Sequence, residues 1–214
     1  MEIRVLKLFA GIAALMFMAA GVVHAGTKNF KSSASGTTVD VPVDIDSDSC
    51  FLASNGATVC TDTSGYDNFA GSSSPGGGFT GQNVVESDFV TGTGTSCNVF
   101  GTVVPGFVSC TLAGSSEQGC EFQVTGGVGV TRDNSSGDLT ISTLSETYCA
   151  DLSSVPFNFA GSFNGTITGG TGKNTGATGT TTGTFHGQEL TLDAAGHGMS
   201  WFEVSETGTI TTPK

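Results

Sequence analysis

The residues best suited to chemistry lie in a few short stretches. His186, Glu189, Asp193 and His197 follow one another closely, and imidazole beside carboxylate can move a proton near neutral pH or hold a metal. His186 and Glu189 are therefore candidate ligand-binding groups, although Ala194-Ala195-Gly196-His197-Gly198 reads as a turn that would leave His197 on the surface. Asp44-Ile45-Asp46-Ser47-Asp48, with Asp40 upstream, puts carboxylates on one face of an extended segment, so Asp44, Asp46 and Asp48 are candidate Ca²⁺ ligands. An EF-hand loop would need Gly where Ser49 stands and Glu where Asn55 stands. The competing reading is a solvated edge strand, with its charges and Pro42 blocking sheet-to-sheet association. Trp201 and Phe202 are adjacent, so in a strand they face opposite sides, and an outward Trp201 could stack on a sugar or an apolar ligand.

Other patterns exclude chemistry. Gly169-Gly170-Thr171-Gly172-Lys173 is not a phosphate loop, because Ile167 stands where the first Gly of G-x-x-x-x-G-K belongs and Asn174 follows the Lys. No G-x-S-x-G elbow occurs, so acyl chemistry lacks a nucleophile and no catalytic residue is assigned; no cofactor is expected.

The six cysteines, Cys50, Cys60, Cys97, Cys110, Cys120 and Cys149, include no C-x-x-C pair and read as disulfides. Hairpin registers suggest their partners. A turn in Arg132–Asp138 centred between Asn134 and Ser135 sets Val130 against Leu139, Val128 against Ile141 and Cys120 against Cys149. A three-residue loop Ser54-Asn55-Gly56 carries Cys50 to Cys60. Cys97 and Cys110 remain, flanking Pro105-Gly106.

The elements that must position these residues are strands. Gly, Ser and Thr dominate, Phe is scattered singly, and apolar residues never recur for long at helical spacing. Phe157, Phe159, Gly161, Phe163, Gly165 and Ile167 alternate with Asn158, Ala160, Ser162, Asn164 and Thr166, giving one buried and one wet face. A hairpin joins Phe122, Val124, Val128 and Val130 to Leu139 and Ile141. Further strands are expected near 38–45, 51–61, 79–90, 97–104, 107–112, 178–192 and 201–211, and residues 64–78 read as a loop. The expected fold is all-β, a single antiparallel β-barrel of about eight to ten strands, with a β-sandwich as the alternative.

Residues 1–25 have the form of a secretory signal: Arg4 and Lys7, an apolar run from Leu8 to Ala20, and small residues at Val23-His24-Ala25. That run is short for a membrane span, no second one follows, and no Cys marks a lipid-attachment site. Residues 26–214 then form one all-β domain, secreted to a periplasm or to the medium. They hold 5 Lys+Arg against 18 Asp+Glu, a net charge of about −13, which repels nucleic acid and anionic lipid.

The stretch Gly165-Thr166-Ile167-Thr168-Gly169-Gly170-Thr171-Gly172-Lys173-Asn174-Thr175-Gly176-Ala177-Thr178-Gly179 resembles the motif G-T-x-T-I-T-G-G-T-G-R-F-x-G-A-T-G of uncharacterised secreted bacterial proteins. Gly137-Asp138-Leu139 and Tyr148-Cys149 also look like that family, with Lys173 and Asn174 standing where it has Arg and Phe. A looser likeness extends to plant dirigent proteins and allene oxide cyclases. The resemblance implies an eight-stranded barrel and transfers no catalytic residue.

The expectation from sequence is a secreted, non-enzymatic β-barrel with a structural or ligand-binding role. Ca²⁺ and a small apolar ligand are the partners left open. The rival is a cyclase- or isomerase-like enzyme working in an internal barrel pocket. An open cavity with Glu189, Asp193 or His186 pointing inward would favour that rival.

Overall fold

The computed structural model describes residues 26–42, 50–54, 58–60, 62–193 and 197–213. Its strands are β1 (Gly26–Pro42), β2 (Cys50–Leu52), β3 (Thr58–Cys60), β4 (Asp62–Ser74), β5 (Gly77–Phe89), β6 (Thr91–Val99), β7 (Thr102–Phe107), β8 (Ser109–Thr111), β9 (Gln118–Asp133), β10 (Leu139–Ala150), β11 (Phe157–Gly170), β12 (Thr178–Leu192) and β13 (Gly198–Thr212). One 3-10 turn, Gly172–Asn174, lies between β11 and β12.

Eight strands close into an antiparallel barrel in the order β1-β4-β5-β9-β10-β11-β12-β13, and β13 returns to β1. Register partners traced round the ring run Asp40, Gly65, Val85, Gly127, Leu144, Gly165, Thr181, Gly208 and Phe30. The circuit begins and ends on β1 ten residues apart, at Asp40 and Phe30. Eight strands with that stagger tilt by about 40° and enclose a cylinder of about 8 Å radius, wide enough to leave space that side chains need not fill.

The β11 alternation is as expected: Phe163, Gly165 and Ile167 are buried while Asn158, Ser162, Asn164 and Thr166 are exposed. Its inward rings sit over glycines of the next strand. A methyl group at Gly183 would collide with the Phe163 ring, and one at Gly187 with the Phe159 ring. The outward face is mostly Ser, Thr and Asn. One row departs from this: Val128, Val84, Tyr66, Val39 and Met199 are register partners on successive strands, and all are exposed.

Three expectations need correction. Residues 64–78 are not a loop: β4 and β5 run through them, and the turn is confined to Pro75-Gly76. The Ser- and Gly-rich composition marks strands that pack closely, since Gly71 abuts Ala34 of β1. The β6–β7 turn is Phe100-Gly101, both with positive φ as a two-residue hairpin loop requires, so Pro105-Gly106 lies inside β7. Third, the hairpin register at β9–β10 pairs Leu139 with Arg132 and Ile141 with Val130. Asp133 Oδ1 accepts the Ser135 and Ser136 amides and Gly137 takes φ 75°, which tightens that turn.

A bulge on β9 completes the last correction. Gly126 pairs with Glu86 and Val124 with Ser87, so one residue is inserted and the strand changes face. Phe122 and Val124 turn inward while Val128 is exposed. Cys120 then faces inward opposite Ala150, and Cys149 points to the other side of β10 opposite Glu121. A Cys120–Cys149 bond is thereby excluded. The disulfides seen are Cys97–Cys120 and Cys110–Cys149, with Cα separations of 5.4 and 5.9 Å. The backbone does set Cys50 opposite Cys60 as expected.

One end of the barrel is capped. The β6–β7 hairpin and the segment after β10 bring Val99, Phe100 and Leu152 against Phe89, Phe122 and Ala150, and Cys97–Cys120 ties the hairpin to the wall. At the other end the lumen-lining residues Lys28, Gly76, Gly77 and Lys173 are exposed, and Lys173 bridges to Asp133 at 2.6 Å.

Candidate functional site

The barrel interior is a cavity of about 580 Å³. Inward side chains such as Asp67, Leu144, Glu146, Tyr148, Phe159 and Phe185 remain only half-buried because they border this space rather than a packed core.

Strand alternation carries carboxyls into it. Asp40 follows Thr38 on the inward face of β1, Asp67 lies between inward Gly65 and Phe69 on β4, and Glu146 lies between Leu144 and Tyr148 on β10. Glu189 from β12, Glu206 from β13 and, beside Lys173 at the open end, Asp133 from β9 complete the set. Asp40 is thus no member of a solvated edge, since β1 is paired on both sides and the ring has no edge there.

Of the five carboxyls other than Asp133, two are well supplied with donors. Glu206 accepts from Ser32 Oγ at 2.6 Å and Thr181 Oγ1 at 2.9 Å. Asp67 accepts from Thr38 Oγ1 at 2.8 Å and Asn83 Nδ2 at 3.2 Å. Burial nevertheless raises the Asp67 pKa above the usual range.

Asp40 and Glu189 share a hydrogen bond, which requires a proton between them. Burial first, then the Asp67 charge, raises the Asp40 pKa to about 6. Burial and the nearby Asp40 raise Glu189 to about 8. Glu146 is also pushed up to about 8, by burial and then by Asp67. Tyr148, raised chiefly by burial, stays a neutral phenol hydrogen-bonded with Ser87, and its ring stacks on Phe122 at 4.9 Å.

Glu189 is 4 % exposed, and its Oε1 is buried with no hydrogen-bond partner. The space it occupies exists because residue 198 on β13 is Gly: a side chain there would overlap Oε1. Phe69, Phe159, Phe163, Phe185 and Phe202 give the surrounding wall an apolar character.

The residues singled out from sequence are dispersed. Of the candidate ligand residues His186, Glu189 and Trp201, Glu189 alone reaches the lumen, where it is joined by Asp40 and Phe202. His186, three positions away, is on the outer face with its imidazole 3.6 Å from Glu203, and its ring meets Trp201 edge-on at 6.3 Å. His197 bonds to Asp193 at 3.0 Å in an exposed turn. Trp201 is outward and Phe202 inward. Asp44, Asp46 and Asp48 lie outside the described residues. Among the described residues no group of three His, Cys, Asp or Glu side chains could hold a metal ion.

Gly169–Lys173 forms the end of β11 and the 3-10 turn, packed onto the barrel by buried Asn174, whose Nδ2 donates to Thr140 Oγ1. Sequence reasoning missed Asp40 as an interior group, and it missed Asp67, Glu146 and Tyr148 altogether. The available signal was phase, since each carboxyl shares its parity with apolar or small residues on its own strand.

No protein-family model, curated protein or solved structure matches this chain.

Proposed function

We propose that this is an exported binding barrel that holds a small, largely apolar molecule in its lumen. The observation that carries the reading is the unfilled interior. A cavity of about 580 Å³, walled by phenylalanines and open to solvent at one end, lies within the size range of small-molecule sites. Stable disulfides such as Cys97–Cys120 and Cys110–Cys149 suit an oxidising compartment, and the signal-like residues 1–25 supply the route to it. Among the described residues no helix is long and apolar enough to cross a membrane.

Titration with the neutral, apolar fluorophore N-phenyl-1-naphthylamine tests the proposal. Saturable enhancement at one molecule per chain is expected, and Ala34→Trp, which projects an indole into the lumen, should abolish it. Absence of enhancement, or equal enhancement in Ala34→Trp, would refute internal binding.

A second reading is supported by Asp40, Glu146 and Glu189, buried carboxyls whose pKa values are raised toward neutrality beside the Tyr148 phenol. Such groups suit general acid–base work, and the lumen would then serve an isomerase- or cyclase-like proton transfer. Its signature is exchange of solvent deuterium into a C–H of the bound molecule, lost in Glu189→Gln.

A further inference from the structure

We propose that the occupant of the lumen is an organic cation, an ammonium group on an aromatic or aliphatic body, with its charge seated against Glu189 and Asp40. This rests on the binding-barrel reading and adds the chemical class of the ligand.

Charge supplies the first argument. Asp40, Asp67, Asp133, Glu146, Glu189 and Glu206 line the cavity, while among the described residues its only lining cations, Lys28 and Lys173, stand at the rim and Lys173 is engaged by Asp133. The deep lumen therefore has acceptors and no cationic partner of its own among the described residues.

Hydrogen bonding supplies the second, independent argument. Glu206 and Asp67 have hydroxyl or amide donors from neighbouring strands. Glu189 Oε1 has none, although it is withdrawn from solvent, and Gly198 keeps open the space in which it sits. A buried carboxyl oxygen without a donor is costly, and native structures rarely leave one so. An ammonium group brings several donors and a compensating charge to that point. The rings of Tyr148, Phe159, Phe185 and Phe202 border the same cavity and can take both the apolar body and, through their faces, part of the charge. A metal ion fits less well, since no three ligating side chains converge among the described residues.

The Asp40–Glu189 pair keeps a proton where a bound cation would otherwise compensate its charge. The other titratable groups that act on it are Asp67 on β4 and Glu146 and Tyr148 on β10; none of these is cationic. Cation binding must therefore displace protons.

The experiment is calorimetry on the mature protein with three matched compounds: 4-phenylbutylamine, 4-phenylbutan-1-ol and 4-phenylbutanoate. At slightly alkaline pH the amine should bind at least about tenfold more tightly than the alcohol, the carboxylate should bind least, and proton release should appear as a dependence of the heat on buffer ionisation enthalpy. Glu189→Gln should bring the amine down to the affinity of the alcohol. Equal binding of amine and alcohol by the unmodified protein would overturn the cation assignment and leave the binding barrel standing. Failure of all three compounds, together with N-phenyl-1-naphthylamine, would overturn both. Displacement of the amine by excess Ca²⁺ would overturn the assignment in favour of a metal.

Discussion

Glu146 and Glu189 hold protons that exposed carboxyls lose well below neutral pH. Their folded-state pKa values, about 8, lie above the usual value of 4.5, so the native state binds more protons than the unfolded chain between those limits. The resulting stability is fully present below the unfolded value and is lost as pH rises through about 8. Thermal unfolding of the ligand-free protein should accordingly give a Tm that falls between about pH 5 and about pH 9, by about 2–4 °C for each kcal/mol lost. The double variant Glu146→Gln with Glu189→Gln should flatten the profile. A wild-type Tm that rises over this range would show the two side chains to be ionised and solvated in the native protein. Glu189 could be named from sequence, but for the wrong neighbour: His186 suggested an acid–base pair, whereas three positions along a strand reverse the face and the true partner is Asp40. Asp67 and Glu146 were overlooked because charged residues on strands are expected to face water. Only a lumen makes inward carboxyls tolerable.

At the scale of elements, periodicity was readable wherever one face carried large side chains. The expected strand at 178–192 coincides with β12, and the alternation in β11 held because Phe163 and Ile167 mark the buried side. The first half of β1 and most of β4 escaped notice. Their inward face mixes Gly, Ser and Ala with only an occasional ring, and that composition is also typical of loops. Disulfide pairing failed for a different reason. Counting from an assumed turn carries one error of register down the whole hairpin, and the β9 bulge then reverses the face of Cys120. Non-reducing peptide mapping should link Cys97 to Cys120 and Cys110 to Cys149. Replacing Cys110 and Cys149 by Ser should cost about 2–4 kcal/mol, measured by urea denaturation. A map linking Cys120 to Cys149 would contradict the bulge.

At the scale of the whole molecule, the expected cleavage after Ala25 would leave Gly26, which pairs with Thr212 of β13, as the first residue. Mass spectrometry of the exported protein should find that N-terminus, and an intact Met1 on it would overturn the export proposal. The pairing of β1 with β13 has a kinetic meaning. On the proposed route of export β1 would emerge early, yet one edge of it can be paired only by β13, some 170 residues behind it. Until then β1 has an unpaired edge, and the cavity it helps enclose does not exist. Barrel closure thus acts as a clock set by the arrival of β13, and if the barrel is exported and binds as proposed, binding should appear in step with completed translocation and not before it.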